Sequence, residues 1–239
     1  MGHPEIIVLA SDLSRRVGFI GRVRKLFVVI SWLAGSGLVI MAAISIVMLA
    51  SDPAHITPDV GNGLRPQTGL ARAHILALVA TLIVLALLVL TWLVWIFCSV
   101  RLVKKAGAER MHHGPLASIA LHFVPVIGQV MPMLIITELE KVTRDPVRWK
   151  ELPDNALPSS SWVVAKLSAI GYLVALDYLQ TAERAAQYAT GLWIMLGASV
   201  GLIGGLFLVG KFLRHMNALQ TELASAKEAS LPSALTETS

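Results

Sequence analysis

Charge is scarce in this 239-residue chain. Only 15% of its residues are charged against 55% hydrophobic, and a soluble domain of that size would have trouble covering its surface. Cysteine is nearly absent too. The single Cys98 excludes an intramolecular disulfide and falls within an apolar run, where it reads as a packing residue. Catalytic signatures are missing: there is no Gly-x-Ser-x-Gly turn, no His-Glu-x-x-His helix and no phosphate-binding loop, so no enzyme, no catalytic residue and no cofactor are expected. His112, His113 and His122 lack a His-x-x-x-His spacing and have no cysteine beside them, so no metal site is expected. The net charge of +5 lies beside the apolar runs rather than in a patch interleaved with aromatics. That pattern argues against nucleic acid as a partner.

What the chain has instead is long uncharged stretches. A bilayer core about 30 Å thick needs roughly 20 helical residues to cross it, and the hydropathy pattern predicts four spans, over residues 26–51, 73–100, 162–179 and 191–213. The lipid bilayer is therefore the first expected partner. Residues 52–72, with Pro53, Pro58, Gly61, Gly63 and Pro66, read as an irregular external loop, and 180–190 as a second, short one.

Basic residues orient the spans, because loops rich in Lys and Arg stay in the cytoplasm. The segment 1–25 carries Arg15, Arg16, Arg22, Arg24 and Lys25, and Arg101, Lys104, Lys105 and Arg110 follow the second span. Lys211 and Arg214 close the fourth. The expected topology has both termini cytoplasmic, with a cytoplasmic region at 101–161 and a tail at 214–239. The start of the tail extends the last helix and the rest is expected to be disordered. The apolar run after the N-terminal segment is too long for a signal peptide and lacks a small-residue cleavage site.

One uncharged segment does not fit a simple crossing. Residues 114–137 contain Pro115, Pro125, Gly128 and Pro132, with His122 and Gln129 as polar groups. As a fifth span it would put Lys141, Arg144, Arg148 and Lys150 outside and invert the remaining spans. The preferred expectation is a proline-broken, re-entrant or interfacial helix over 114–144 on the cytoplasmic side, a backbone tolerated at membrane depth where protein or water satisfies its polar groups.

The block Phe123, Pro125, Gly128, Gln129, Pro132, Glu138 and Leu139, followed by Trp162, resembles the signature of the domain-of-unknown-function 4328 family of small bacterial membrane proteins. The family layout is two spans, an F-x-P-x-x-N type block leading to a second proline and an acidic residue, then two more spans. The resemblance covers roughly residues 92–213. It departs at the polar position three after the first proline, which is Gly128 here with Gln129 next to it, and an arginine expected near Trp95 is displaced to Arg101. The resemblance implies an architecture and a bacterial inner-membrane location, and no known activity.

Other residues carry expectations of their own. Gly197, Gly201 and Gly205 recur every four residues, the small-xxx-small pattern that lets helices approach backbone to backbone, within the chain or between molecules. Asp177 and Lys166 are ionisable groups in the third span, lying about 16 Å apart along its axis. Such groups are read either as parts of an ion pathway or as side chains reaching the interface. Glu138 and Glu140 point to different faces of a helix and are expected to pair on the surface with Lys141 and Arg144. Ile135, Leu139 and Val142 form one stripe, which suggests an amphipathic helix lying along the headgroups. Trp92, Trp95 and Trp162 suit an interfacial aromatic belt.

The expected fold is all-α, a polytopic transmembrane bundle of four spans plus the broken helix. The leading functional expectation is a non-enzymatic membrane module that works by helix association, as scaffold or accessory subunit, with a membrane protein or a second copy as partner. The alternatives are a small transporter or channel whose polar cavity is lined by Pro125, Gln129, Pro132 and Asp177, and a membrane immunity or stress protein.

Overall fold

The computed structural model describes residues 3–50, 69–108, 111–124, 127–181 and 185–229. They form six α-helices: α1 (His3–Ala50), α2 (Gly69–Lys105), α3 (Pro115–Ala120), α4 (Ile127–Arg144), α5 (Ala156–Thr181) and α6 (Ala185–Ala229). A 3₁₀ turn spans Trp149–Glu151. Among the described residues there is no strand.

Three helices, α1, α2 and α6, are long and apolar enough to cross a membrane, over Asp12–Val47, Ile75–Lys105 and Ala189–Ala229. Each exceeds the predicted span. No proline interrupts the chain between Pro4 and Pro53, so the basic N-terminal segment continues the helix instead of forming a separate region. α6 likewise runs to Ala229, and residues 69–72, predicted as loop, belong to the first turn of α2. Residues 51–68 and 230–239, the rest of the predicted loop and the end of the tail, lie outside the described residues. α5 carries Lys166 and Asp177, is 26 residues long and is not among the three.

α2 ends at a defined cap. Gly107 adopts φ 106°, a conformation in which a side chain would be strained, and Ala108 N–H returns to the Val103 carbonyl at 3.1 Å. This is the glycine-closed helix terminus that satisfies otherwise unpaired carbonyls.

The chain divides into two compact units. The first comprises Met1–Phe27, Leu90–Ser159 and Gly210–Ser239, the second Val28–Val89 and Ser160–Val209. The second unit is organised around an apolar cluster of Leu38 and Met41 from α1, Tyr172 and Ala175 from α5, and Leu192 and Met195 from α6. Ala77 and Leu78 of α2 pack against it. Small residues set the helix spacing here. A Cβ on Gly205 would lie 3.2 Å from Ala165 Cα, and one on Gly171 would lie 3.4 Å from Ala198 Cβ, so α5 and α6 approach almost backbone to backbone.

The first unit contains an aromatic cluster contributed by three helices. Trp92 stacks on Trp95 at 5.3 Å, Trp95 meets Phe212 edge-on at 5.9 Å, and Phe27 lies 6.2 Å from Trp92. Trp95 is fully buried. The predicted interfacial belt is therefore corrected for Trp95, whose ring packs within the protein against Trp92 and Phe212, while Trp92 is half-buried. The Trp162 side chain lies outside the described residues.

The first unit also holds the charge. Sixteen of the 20 Lys and Arg and 11 of the 15 Asp and Glu fall in its residue ranges, leaving four of each sign in the second unit. The whole net charge of +5 thus belongs to the first unit.

Candidate functional site

The feature of this molecule least like ordinary helix packing is a pair of buried carboxylates on α4. Ile135, Ile136, Leu139 and Val142 are fully or almost fully buried and fix that face of α4 against protein. This corrects the expectation that the Ile135, Leu139, Val142 stripe lies on headgroups. Glu138 and Glu140 are carried inward with that face; the side chain of Glu140 is 0% exposed and that of Glu138 9%. Burying an ionised carboxylate costs several kcal/mol, of the order seen for any desolvated ion, unless donors compensate it.

Both have donors, and most come from far along the chain. Glu138 Oε1 accepts the backbone N–H of His112 at 2.8 Å and lies 2.9 Å from His112 Nδ1; its Oε2 lies 3.3 Å from His113 Nδ1. The two adjacent histidines thus share one carboxylate. Trp149 supports them, its ring edge-on to His112 at 5.5 Å. Glu140 Oε1 accepts from Arg144, from Asn155 Nδ2 at 3.5 Å, and from His215 Nε2 of α6 at 3.1 Å. Its Oε2 is buried with no hydrogen-bond partner among the described residues.

Expected surface pairing is overturned here. Glu140 does meet Arg144, but from a fully buried side chain, with only the arginine exposed, and Lys141 reaches Asp154 at 2.6 Å instead of Glu138. The arrangement pins three separate pieces of chain to α4: the connection after α2, the segment before α5, and the second half of α6. Among the described residues no group of three or more His, Cys, Asp or Glu is placed to hold a metal ion.

At the start of α4, Gly128, its second residue, is in close backbone contact. A Cβ there would lie 2.7 Å from the His122 carbonyl oxygen and 3.1 Å from that of Leu121, and Gly128 N–H donates to Val124 O at 2.6 Å. The position at which the family pattern carries a polar residue has no room for a side chain in this chain. Past α4, Asp145 caps the turn that follows by accepting the N–H groups of Val147 and Arg148 at 2.9 and 3.0 Å. These two backbone donors hold its carboxyl below the usual aspartate range.

The residues proposed for a polar cavity are distributed. Pro132 is buried inside α4 of the first unit, and Gln129 occupies the same helix with its side chain outside the described residues. Pro125 also lies outside them. Asp177 belongs to the second unit and its side chain is exposed; its carbonyl accepts Thr181 Oγ1 at 2.8 Å. Of the three glycines, Gly201 and Gly205 close on Ser168 and Ala165 of α5, while among the described residues nothing lies within 4 Å of a Cβ built on Gly197.

A chain whose described residues form helices and no strand, three of them of crossing length and composition, is a helical membrane protein. Residues 67–218 match the family described as Domain of unknown function (DUF4328), and the chain belongs to that family. No curated protein and no solved structure matches the chain.

Proposed function

We propose that this protein is a non-enzymatic membrane module that works by helix association, as a scaffold or accessory subunit in a bacterial inner membrane. The observation that carries the reading is the outward face of α6. Once Gly201 and Gly205 are covered by α5, Trp193, Gly197, Val200, Gly204 and Phe207 remain on a single exposed stripe. Among the described residues nothing lies within 4 Å of a Cβ at Gly197 or Gly204. Two glycines at the same face, one heptad apart between large apolar side chains, offer a notch into which another helix fits closely.

The same reading takes α5 as a fourth span, supported by its place in the apolar cluster shared with α1, α2 and α6. The concentration of net positive charge in the first unit supports a cytoplasmic position for that unit, with both termini on that side.

The test is native mass spectrometry of the full chain extracted with its own lipid, beside a Gly197→Ile, Gly204→Ile variant. A stoichiometric partner or a second copy in the parent, lost in the variant while thermal stability is kept, supports the reading. A parent that is only monomeric, or an assembly indifferent to both substitutions, overturns it.

A further inference from the structure

The outward side of α4 differs from its buried side in a way that points to lipid. Val130, Leu134, Thr137, Lys141 and Arg144 follow one another at spacings of four, three, four and three residues, so they lie along a single stripe of the helix. Its first half is apolar and exposed, with Val130 at 53% and Leu134 at 48%; Arg144, at its end, is exposed and basic. Phe123, in the turn ahead of α4, is 69% exposed, and Leu116 of α3 is more exposed still. From Met111 to Thr137 the chain carries no Asp, Glu, Lys or Arg.

A helix lying flat on a membrane separates its polar and apolar residues around its circumference. On this stripe they separate along the axis. That pattern suits a helix whose first half stands among acyl chains and whose second half reaches the headgroups. Val130 to Lys141 is a rise of about 16 Å at 1.5 Å per residue, roughly half of a hydrocarbon core of about 30 Å.

We infer that the outward stripe of α4, with Phe123 and Leu116, docks into the cytoplasmic leaflet of the protein's own membrane, and that the leaflet it selects is anionic. The inference rests on the cytoplasmic placement of the first unit proposed above. Charge supplies the selectivity. Lys141, Arg144 and Arg148 have acidic neighbours in Asp154, Glu140 and Asp145, and Glu151 is exposed beside Lys150, whose ammonium lies over Trp149. The positive excess is therefore a property of the whole unit, 16 basic against 11 acidic residues, with basic residues preceding α3 at Arg101, Lys104 and Lys105 and following α4 at Arg148 and Lys150. Basic segments next to a membrane are attracted by phosphatidylglycerol and similar lipids. A protein partner on the same face would need a charge-free apolar groove of its own, and the flanking bases on both sides favour phosphate-bearing lipid.

The experiment uses the full chain in a Cys98→Ala background, with single cysteines at Val130, Leu134 and Arg148 carrying an environment-sensitive fluorophore. The protein is reconstituted in vesicles of phosphatidylcholine or of an equimolar mixture with phosphatidylglycerol. Nitroxides on the acyl chains are expected to quench position 130 more than 134, and both several-fold more than 148, with iodide showing the reverse order. Phosphatidylglycerol should deepen the quenching at 130 and 134, and exchanging Arg148 and Lys150 for Gln should reduce that gain. Iodide quenching at all three positions without acyl-chain quenching overturns the inference, as does shielding of 130 and 134 from both quenchers, the result a protein partner or second copy would give. Quenching that ignores phosphatidylglycerol overturns the anionic preference. A membrane-impermeant maleimide at position 148, applied to sealed vesicles of each orientation, separates the two proposals: labelling only from the external face defeats the topology, whereas cytoplasmic labelling without acyl-chain quenching defeats only the docking.

Discussion

His215 on α6 places its Nε2 3.1 Å from Oε1 of Glu140 on α4, across 75 residues of sequence. With the carboxylate as acceptor, the imidazole donates, and the two helices are tied at a point where Glu140 is fully buried. Arg144 donates to the same oxygen from one turn further along α4. The contact turns a residue that looks like helix-surface decoration into part of the interior.

Replacing His215 by Ala removes one of these donors from a buried carboxylate and is expected to lower stability by about 1–3 kcal/mol. A Glu140→Met change added to it should recover part of the loss, because apolar replacement of a buried ionic group is often neutral or better. Thermal unfolding of the detergent-solubilised protein measures both. A single variant as stable as the parent would show that the contact contributes nothing.

Gly128→Ala brings a methyl group to 2.7 Å from the His122 carbonyl. Backbone cannot swing aside as a long side chain can, so a loss of about 1–3 kcal/mol is expected from overpacking, with Gly128→Val worse. Hydrogen exchange should show the change concentrated in residues 118–130, and a uniform response along the chain would contradict the local origin.

Gly205→Val and Gly197→Val are expected to part company. The first forces a side chain against the backbone of Ala165 and should destabilise the isolated protein; at the second, a Cβ meets nothing within 4 Å among the described residues, and the substitution should leave the thermal midpoint unchanged. Equal effects of the two on the monomer would show that the face assignment is wrong.

The turn after α4 has a pH signature. Asp145 is held below the ordinary aspartate value near 3.9 by the N–H groups of Arg148 and Val147, so its folded pKa is depressed. The contribution is present above the unfolded value and is lost only as pH falls through the lower folded one. Carboxyl-carbon NMR should therefore place the Asp145 titration below that of a peptide aspartate, and Asp145→Ala should free the Val147 and Arg148 amides to exchange. A titration at or above the peptide value would contradict the capping geometry.

The legible parts of this chain were those encoded by local pattern. The apolar runs of α1, α2 and α6 announce membrane helices because hydropathy over about 20 residues is enough to decide the solvent. The family pattern around Phe123 to Trp162 was readable for the same reason, as a fixed spacing. Helix ends were less so: α1 and α6 extend well past their apolar runs because helix continuation needs only the absence of a breaker, which hydropathy does not register.

The sequence by itself determined the class of protein, its helical character, the poverty of catalytic motifs and the segments in which positive charge accumulates. Tertiary structure alone decided that Glu138 and Glu140 are buried, that Trp95 faces other rings, and that Gly205 closes on α5 while Gly197 stays open. The difference is physical. Solvent preference sums over neighbours in sequence, whereas burial of a single side chain depends on which distant helix supplies its donors, and His112, His113 and His215 become partners of α4 only once the chain has folded.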